Sequence, residues 1–547
     1  MKMTYSSHIF YLFMIVMSIS MWYFILFPIE RHALQNISAF SWRWWGRPSE
    51  PPPRRFGYFL HITDLHIDES YLPGATIESD CHRAPKSYQL QRSSPSSSSS
   101  FSSIALAGNL GSPGQHCDSP IELAQQTLNW IKKEWKHKLD FVVWTGDNAR
   151  HDWDDQRKRK RKHIFKLNEK VQEMMVETFW PTAQDPRHIP LVPAIGNNDV
   201  HPHNYIGGND DDHGILSFYS QLWHNWIPQD QQPTFQAGGY FAVNVGRQLR
   251  VISLNTMYFY SKNDAVRGCH KPGLAQRHMQ WFEQQLAKAR SESFKVYVMG
   301  HVPPSPRDYR RTCFKDYTRI SAAYTDVVKG HFFGHLNMDH FLMYDGRENQ
   351  LQFSTANLSS SSIPGSPEDD GYMCINRNID KYVDWLRDMY SSIDPPSQNE
   401  RAPINETPLV VIQVSPSVLP VYLPAIRIYR YEINDQDDNQ VYYPGTSTEY
   451  EQTDNPPLPH GTLLSYKQFY ANITEWENPD RGPLEYQLEY DTQDAYGLDD
   501  LTVDTYYQFA KDMMGSEDGD SSQSQGKDLW KKFIQNMFVQ TMNDDLT

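Results

Sequence analysis

The sequence has few cysteines, no surplus of positive charge and no internal repeat. Five cysteines among 547 residues allow two disulfide bonds and one spare thiol. A net charge of −15 gives no sign of a nucleic-acid partner, although an acidic average leaves room for a local basic patch. The hydrophobic share of 39% and the aromatic share of 13% indicate a folded chain and exclude a disordered one.

One long uncharged apolar run stands near the N-terminus, from Ile9 to Phe27. Its 19 residues are about enough helix to cross a hydrocarbon core of ~30 Å. We therefore predict a single transmembrane helix, a signal anchor at 9–28, between a short cytoplasmic N-terminus at 1–8 and a stalk at 29–56. A cleaved signal peptide is the alternative, but the residues that follow the run make a poor cleavage site.

Four N-x-S/T triplets without proline favour a luminal or extracellular body and a type II single-pass orientation; they begin at Asn36, Asn357, Asn405 and Asn472. Disulfide bonds persist in such compartments. We predict the pairs Cys81–Cys117 and Cys269–Cys313, which leaves Cys374 as the spare thiol. Five buried thiols without any bond between them are the alternative.

Short apolar runs alternate with helical patterns from Tyr58 onward. Runs such as "DFVVWTG" and "FKVYVMG" are typical of strands that end at polar or glycine clusters, and they predict a layered α/β body. Functional residues are then expected at the carboxyl ends of the strands. We place the catalytic domain at 57–432, with a flexible serine-rich insertion at 93–103. The C-terminal extension, 433–547, would hold a linker at 515–527 and a terminal helix docked on the body.

Potential metal ligands follow five of the predicted strands. Glycines beside several of them let the backbone turn sharply and approach an ion closely. A single buried histidine or capping aspartate more often has a structural role than a metal-binding one. Five such motifs in order, each at a strand end, rarely arise by chance. Such donors suit two divalent cations held ~3.5–4 Å apart by a bridging carboxylate. The candidate ligands are Asp64, His66, Asp147, Asn197, His301 and His335.

The order of these motifs resembles that of the calcineurin-like metallophosphoesterase superfamily, which is D-x-H, G-D, G-N-H-D/E, G-H and G-H-x-H. The resemblance spans about Tyr58 to Phe341. It implies a four-layer α/β/β/α sandwich. The motifs "GDNARHD", "GNNDVHPHN" and "GHLNMDHF", with the N-terminal anchor, most closely resemble the fungal vacuolar endopolyphosphatases, which share a subgroup with acid sphingomyelinase.

The resemblance also implies how the ligands divide between the ions. In the family pattern, Asp64 and His66 would hold the first ion, Asp147 would bridge, and Asn197, His301 and His335 would hold the second. Asn337 replaces the second histidine of G-H-x-H, and an amide oxygen binds hard cations better than soft ones. We therefore expect two divalent cations, with Mg²⁺, Mn²⁺ or Co²⁺ favoured and Zn²⁺ possible.

A second departure from the family pattern concerns proton transfer. Asn198 stands where the family has a histidine that contacts the phosphoryl group, and a carboxamide cannot serve as an acid near neutral pH. His151 is our candidate acid or phosphate contact, with Asp152 as its orienting partner. His203 is the second candidate, and a loop-stabilising role is its alternative. For Asp199 we predict a role in orienting Asn198 or the loop.

A basic run in this acidic chain follows the Asp147 loop. Its position near the predicted metal site suggests a track for a polyanion, and attraction of this kind depends on salt. A solvated helix start and a dibasic processing site are the alternatives. The residues of the run are Arg157, Lys158, Arg159, Lys160, Arg161 and Lys162.

Together with the resemblance, these features predict metal-dependent hydrolysis of internal phosphoanhydride bonds in inorganic polyphosphate, by attack of a metal-bound hydroxide on phosphorus. The catalytic domain would lie in the vacuole lumen, held at the membrane by one helix. A sphingomyelinase-like phosphodiesterase is the closest alternative, but the stretch before Tyr58 is too short for a saposin-like domain and the six-cysteine pattern is missing. An inactive polyanion-binding receptor is a third possibility, favoured only by Asn198 and Asn337.

Overall fold

The computed structural model describes residues 54–85, 105–183, 185–207, 210–346, 379–393, 409–434, 449–451, 457–515 and 520–541. The predicted anchor, the predicted stalk up to residue 53, the serine-rich insertion, Cys374 and three of the four glycosylation triplets lie outside these residues. The last three residues assigned to the stalk, 54–56, belong instead to the first strand, Arg54–Ile62. No helix within the described ranges has the length and apolar character needed to cross a membrane.

Two mixed β-sheets form the centre of the protein. The strands in chain order are β1 Arg54–Ile62, β2 Ile67–Asp68, β3 Ser119–Pro120, β4 Leu139–Trp144, β5 Leu191–Pro193, β6 Phe241–Gly246, β7 Leu249–Ser253, β8 Lys295–Met299, β9 Val328–Phe333, β10 His340–Asp345, β11 Leu409–Val414, β12 Ala425–Ile433, β13 Glu449–Glu451, β14 Leu463–Tyr470 and β15 Gln487–Asp491. The first sheet has the strand order β15-β14-β12-β1-β4-β5, with β13 paired to β1, and the second has the order β10-β11-β9-β8-β7-β6.

The two sheets pack against each other through buried aromatic side chains. Phe59 of β1 stacks on Phe141 of β4, with ring centroids 4.8 Å apart. Across the sheet interface, the same ring contacts Tyr297 of β8 and Phe332 of β9, both at 5.3 Å. Burial of several large rings at one interface supplies much of the hydrophobic free energy that holds the sheets together.

Helices pack on both sheets. Trp130 of helix α1 (Ile121–Glu134) contacts Phe469 of β14 in the first sheet, and Tyr317 of helix α6 (Arg311–Ala323) hydrogen-bonds to His331 of β9 in the second at 2.7 Å. This α/β fold with two mixed sheets confirms the predicted fold class. The helices are α1 Ile121–Glu134, α2 Arg161–Phe179, α3 Asp210–Leu222, α4 Gln232–Gly238, α5 Leu274–Ser291, α6 Arg311–Ala323, α7 Ile379–Ser392, α8 Thr492–Tyr496, α9 Val503–Met514 and α10 Asp520–Met537.

The C-terminal region is built into the body of the protein. Strands β14 and β15 extend the first sheet. Helix α10 begins at Asp520, inside the segment 515–527 that the composition predicts as a linker. Serine and glycine lower the intrinsic helix propensity there, but tertiary packing of the apolar residues that follow outweighs it. Phe533 of α10 contacts Phe341 of β10 at 5.9 Å and Tyr390 of α7 at 6.0 Å.

Removing the Phe533 ring should therefore destabilise the whole domain. We expect Phe533→Ala to lower the free energy of unfolding by about 3–5 kcal/mol, because a buried ring is lost and a cavity remains. Urea denaturation followed by tryptophan fluorescence measures this quantity. Lys527→Ala, at an exposed position of the same helix, is the control and should change it by less than about 0.5 kcal/mol. An equal, small effect of both changes would mean that α10 contributes no packing energy.

Candidate metal centre

Five strands deliver the predicted ligands to one edge of the sheets. Strands β1, β4 and β5 run parallel in the first sheet, and β8 and β9 do so in the second. The carboxyl ends of parallel strands lie at the same edge. Main-chain hydrogen bonds then join the loops that follow. The Asp64 amide donates to the Gly146 carbonyl at 2.9 Å, and the His66 amide donates to the Asp147 carbonyl at 3.0 Å.

Several predicted ligands hold a backbone conformation that residues other than glycine rarely adopt. Their φ angles lie between 40° and 72°, in the left-handed region. Such conformations cost about 1–3 kcal/mol each and persist where the surrounding structure enforces them, which is often at functional sites. The residues are Asp64, His66, Asp147, His335 and Asn337.

The first group of ligands consists of the buried side chains of Asp64, His66 and Asp147. His66 Nδ1 donates to the Ala149 carbonyl at 3.2 Å, which directs Nε2 toward the carboxylates. That Nε2 lies 3.5 Å from Asp64 Oδ1 and 3.4 Å from Asp147 Oδ2. An imidazole with one nitrogen tied to a carbonyl and the other facing carboxylates has the orientation of a metal-ligating histidine.

The second group consists of Asp147, His301 and His335, which are also buried. His301 Nδ1 donates to the Thr145 carbonyl at 2.9 Å, so Nε2 faces the group. That Nε2 lies 3.2 Å from Asp147 Oδ2, 3.2 Å from His335 Nδ1 and 2.8 Å from Asn197 Oδ1. Asp147 therefore belongs to both groups, which is the position that a bridging ligand needs. The division of ligands between two ions stays a prediction.

Charges and burial within the centre favour an ionised Asp147 and a neutral His335, which are the states that bind cations, but they also favour the protonated form of His301. Burial by itself raises the pKa of Asp147, but His301 and His66 outweigh it and hold this pKa well below its usual range. Burial and the neighbouring His301 hold the pKa of His335 well below its usual range. Burial by itself lowers the pKa of His301, but Asp147 outweighs it and raises this pKa to about 9. A bound cation would compete with that proton.

Buried oxygen atoms without a partner show where cations fit. Asp64 Oδ2 accepts from Thr63 Oγ1 at 2.5 Å and from the His335 amide at 2.9 Å, whereas its Oδ1 has no hydrogen-bond partner. The buried Asn337 Oδ1 has none either. Such acceptors are costly unless something satisfies them, and a cation does so. The set of oxygen and nitrogen donors fits two divalent ions of hard or borderline character.

The loop that follows β5 holds Asp147 in place. The Asn198 amide donates to Asp147 Oδ1 at 2.7 Å, and Asn198 Nδ2 donates to Oδ2 at 2.9 Å. Asp199 Oδ2 accepts from the main-chain amides of Asp147 and Gly196, and its Oδ1 accepts from those of the two residues after Asp147. These contacts are those of the loop-orienting role predicted for Asp199. They also leave the Asn198 amide nitrogen engaged with Asp147.

His203 contacts a predicted ligand. Its Nε2 accepts from Asn197 Nδ2 at 2.9 Å, which leaves Asn197 Oδ1 to face His301. This contact matches the loop-stabilising alternative for His203, because it fixes which atom of the carboxamide points toward the centre.

His151 stacks on His66, and a residue that the sequence analysis missed holds it there. The His151 ring lies parallel to those of His66 and Trp153, with centroids 4.2 and 3.9 Å away. Asp118 Oδ1 accepts from His151 Nδ1 at 2.7 Å, and Oδ2 accepts from the His151 amide at 2.9 Å. Burial and the nearby His66 lower the pKa of His151 to about 4. His66, Asp118 and His151 together form a third group of ligand-type side chains.

The prediction that Asp152 orients His151 is therefore wrong. Asp152 Oδ1 accepts from the Arg159 amide at 2.6 Å, and Asp118 takes the orienting position instead. One signal could have pointed to Asp118: it directly follows Cys117. The disulfide between Cys81 and Cys117 is present, as is that between Cys269 and Cys313, so both predicted pairings are confirmed.

The basic run is interrupted by a buried residue. Arg159 is 3% exposed, and its Nη1 donates to the carbonyls of Arg150 and Asn198 at 2.5 and 2.7 Å. The predicted contact of Arg159 with substrate is wrong, because its guanidinium braces the Asn198 loop from within. Arg161 is half-buried; the exposed members of the run are Arg157, Lys158, Lys160 and Lys162.

Comparisons with known proteins agree with this geometry. Residues 57–338 match the family described as calcineurin-like phosphoesterase. The chain is 33% identical to an endopolyphosphatase of Cryptococcus neoformans, over 78% of this chain and 66% of the relative. It is 31% identical to the endopolyphosphatase of Saccharomyces cerevisiae, over 69% of this chain and 61% of the relative. It is 30% identical to the endopolyphosphatase of Schizosaccharomyces pombe, over 83% of this chain and 82% of the relative. The chain thus spans less than two thirds of the length of the first two relatives.

Replacing Asp147 with asparagine should weaken both cation sites, because this carboxylate belongs to both groups of ligands. We expect the affinity for Mn²⁺ to fall at least about 100-fold at both sites. Isothermal titration calorimetry, with metal content after dialysis, measures this loss. Asp185→Asn removes a carboxylate paired with Arg187 away from the centre and is the control. Two ions bound with unchanged affinity would contradict the shared position of Asp147.

Proposed function

Since the chain belongs to the endopolyphosphatase family of the calcineurin-like phosphoesterases, we propose that it hydrolyses internal phosphoanhydride bonds of inorganic polyphosphate. The observation that carries this proposal is the sharing of Asp147 between two buried groups of ligands. Two divalent cations held there would activate a water molecule and offset the negative charge of the phosphoryl oxygens. Asp64, His66, Asn197, His301, His335 and Asn337 would complete the coordination.

Residues of the loop after β5 would hold the Asp147 carboxylate in a fixed position during the reaction. Asn198 donates to the Asp147 carboxylate from its main-chain amide and from Nδ2, and Asp199 Oδ2 accepts from the Asp147 main-chain amide. A pre-organised carboxylate needs no rearrangement when the substrate binds, which is a large part of electrostatic catalysis. This role explains how an asparagine at position 198 serves a phosphoesterase without supplying a proton.

His151 would meet the phosphoryl group. Asp118 Oδ1 accepts from Nδ1, so Nε2 is the ring atom left to face a phosphate oxygen. Because burial and the nearby His66 lower the pKa of His151 to about 4, Nε2 would carry a proton for a phosphate oxygen or the leaving group only in acidic surroundings. The leaving group in polyphosphate is itself a phosphate, which departs readily. Proton donation is therefore less demanding here than in the hydrolysis of an alkyl phosphate.

The ligand set favours hard cations. Two of the proposed ligands, Asn197 and Asn337, are amides, and amide oxygens prefer Mg²⁺, Mn²⁺ or Co²⁺ to softer ions. We propose one of these ions at each site, with Zn²⁺ as the less suited alternative.

We also propose that the catalytic domain lies in the vacuole lumen, on a type II single-pass anchor at 9–28. The uncharged apolar run, the glycosylation triplets and two disulfide bonds support this location. Asn472 is the one triplet position among the described residues, and it lies near the surface, half-buried. No nucleic-acid partner is proposed.

A gel assay tests the activity directly. The purified chain is incubated with long-chain polyphosphate and each divalent ion, or with a chelator, and the products are resolved by denaturing electrophoresis. We expect a ladder of mid-length fragments that needs a metal ion. Release of phosphate while long chains persist would mean cutting from the ends. An absence of metal-dependent change in a folded protein would exclude the proposed function.

Asp118→Asn should lower kcat without weakening substrate binding. The amide keeps the shape of the carboxylate but does not hold the His151 tautomer, and we expect kcat to fall about 10- to 100-fold with KM changed less than about twofold. Asp152→Asn is the matched control, because that carboxylate does not touch His151. Equal losses for the two variants, or a loss confined to KM, would contradict the orienting role of Asp118.

The location has its own test. In cells that make the full chain, carbonate extraction should leave it in the membrane pellet, and treatment with a glycosidase should increase its electrophoretic mobility. A chain released by carbonate would contradict the anchor, and unchanged mobility would contradict the luminal orientation.

A further inference from the structure

A second basic surface lies on two segments that the Cys269–Cys313 disulfide joins. Residues 262–277 and 307–315 carry eight lysines and arginines against two aspartates, in a chain whose net charge is −15. We name these two segments the tethered basic surface. Neither the metal centre nor the basic run at 157–162 includes any of its residues.

Hydrogen bonds hold the second segment beside the first and beside the residues that directly precede the first. The Ser261 amide donates to the Asp308 carbonyl at 2.7 Å, and the Arg310 amide donates to the Phe259 carbonyl at 2.8 Å. The Arg310 guanidinium also donates to the Asn263 carbonyl at 2.7 Å. Because the disulfide and these bonds fix the backbone in advance, a ligand pays little ordering entropy on binding there.

The tethered basic surface adjoins two loops of the metal centre. Tyr260, two residues before its first segment, packs edge-on against the His335 ring, with centroids 5.4 Å apart. Asn263 Nδ2 donates to the Ile206 carbonyl at 2.8 Å. Ile206 belongs to the loop that begins at Asn197. The surface is therefore linked by direct contacts to the neighbourhood of the second group of ligands.

The outward charge of this surface is positive. Arg267, Lys271 and Arg277 are exposed. One of the two aspartates, Asp308, is buried and accepts a hydrogen bond from Ser305 Oγ at 2.6 Å, so it does not face solvent. An exposed group of cations beside a buried metal centre raises the local concentration of polyanions.

We infer that the tethered basic surface binds the part of a polyphosphate chain that extends beyond the bond being cut. This inference rests on the proposed function. An internal bond has phosphates on both sides, and the two basic regions approach the centre through different loops. The 157–162 run is joined to the Asn198 loop through its buried member Arg159, whereas the first segment of the tethered basic surface begins two residues after Tyr260, which packs against His335. A short substrate does not reach beyond the centre, so the tethered basic surface sets the preference for long chains.

Charge neutralisation tests this inference. The double variant R267Q/K271Q should raise KM for long-chain polyphosphate about tenfold, since two charges that contact the chain are lost. Its kcat/KM for tripolyphosphate should stay within about twofold of the unaltered protein. At 0.5 M salt the difference between variant and unaltered protein should nearly vanish, because salt screens exposed charges.

The matched control is K132Q/K288Q, which removes the same charge. Both lysines are exposed near the carboxyl ends of α1 and α5, and those ends lead into β4 and β8 at the edge away from the metal centre. Unchanged KM for long chains in R267Q/K271Q, or an equal rise in the control, would overturn the inference. Thermal denaturation of each variant shows whether it is folded.

Failure of the proposed function is distinguishable from failure of this inference. If the unaltered protein cleaves no polyphosphate, the function fails, and the surface is judged by fluorescence anisotropy with end-labelled long-chain polyphosphate. About tenfold weaker binding by R267Q/K271Q, with normal binding by the control, supports the surface. Equal binding by both variants, or binding only to phosphatidylserine vesicles and not to polyphosphate, overturns it.

Discussion

The buried carboxylate of Asp199 is the interaction on which the rest of the site depends. It is not exposed to solvent, and it accepts four main-chain hydrogen bonds from the loops after β4 and β5, as well as one from Asn168 Nδ2. Burial and the nearby Asp147 raise the pKa of Asp199, and the hydrogen-bond donors oppose that rise. Because those donors belong to both loops, the carboxylate fixes the distance between Asp147 and the Asn197–Asn198 pair.

The two sheets supply the rigidity that this arrangement requires. Strained backbone at Asp64, Asp147 and His335 costs about 1–3 kcal/mol per residue, which a loosely packed scaffold would release by moving the loops. Here each of these residues comes two or three positions after a strand whose side chains are largely buried. The packing energy of the interface between the sheets keeps the ligands in left-handed backbone conformations that are unfavourable for these residues in isolation.

Sequence reasoning found the metal centre because its residues obey a local rule. Each ligand motif follows an apolar run, and parallel strands carry their following loops to one edge, so five separate signals lead to one place. Asp118 escapes this rule. It reaches His66 only through the pairing of β2 with β3, and strands of two residues leave no periodic pattern. Arg159 and Asp152 were misjudged for a related reason, since their burial and partners depend on tertiary contacts of a loop that reads as polar and exposed. Helix α10 extends into a glycine- and serine-rich segment because its later residues are anchored, which composition does not reveal.

The Cys81–Cys117 bond has a consequence for how this protein tolerates change. It closes a span of 36 residues, and that span contains the serine-rich segment 93–103. The entropy of closing a loop grows only with the logarithm of its length, so a doubling costs about 0.6 kcal/mol. On this rule residues can be gained or lost within the serine-rich segment 93–103 at small cost, while Asp118, one position beyond the bond, keeps its place. The length of the serine-rich segment can therefore change while Asp118 keeps its contact with His151.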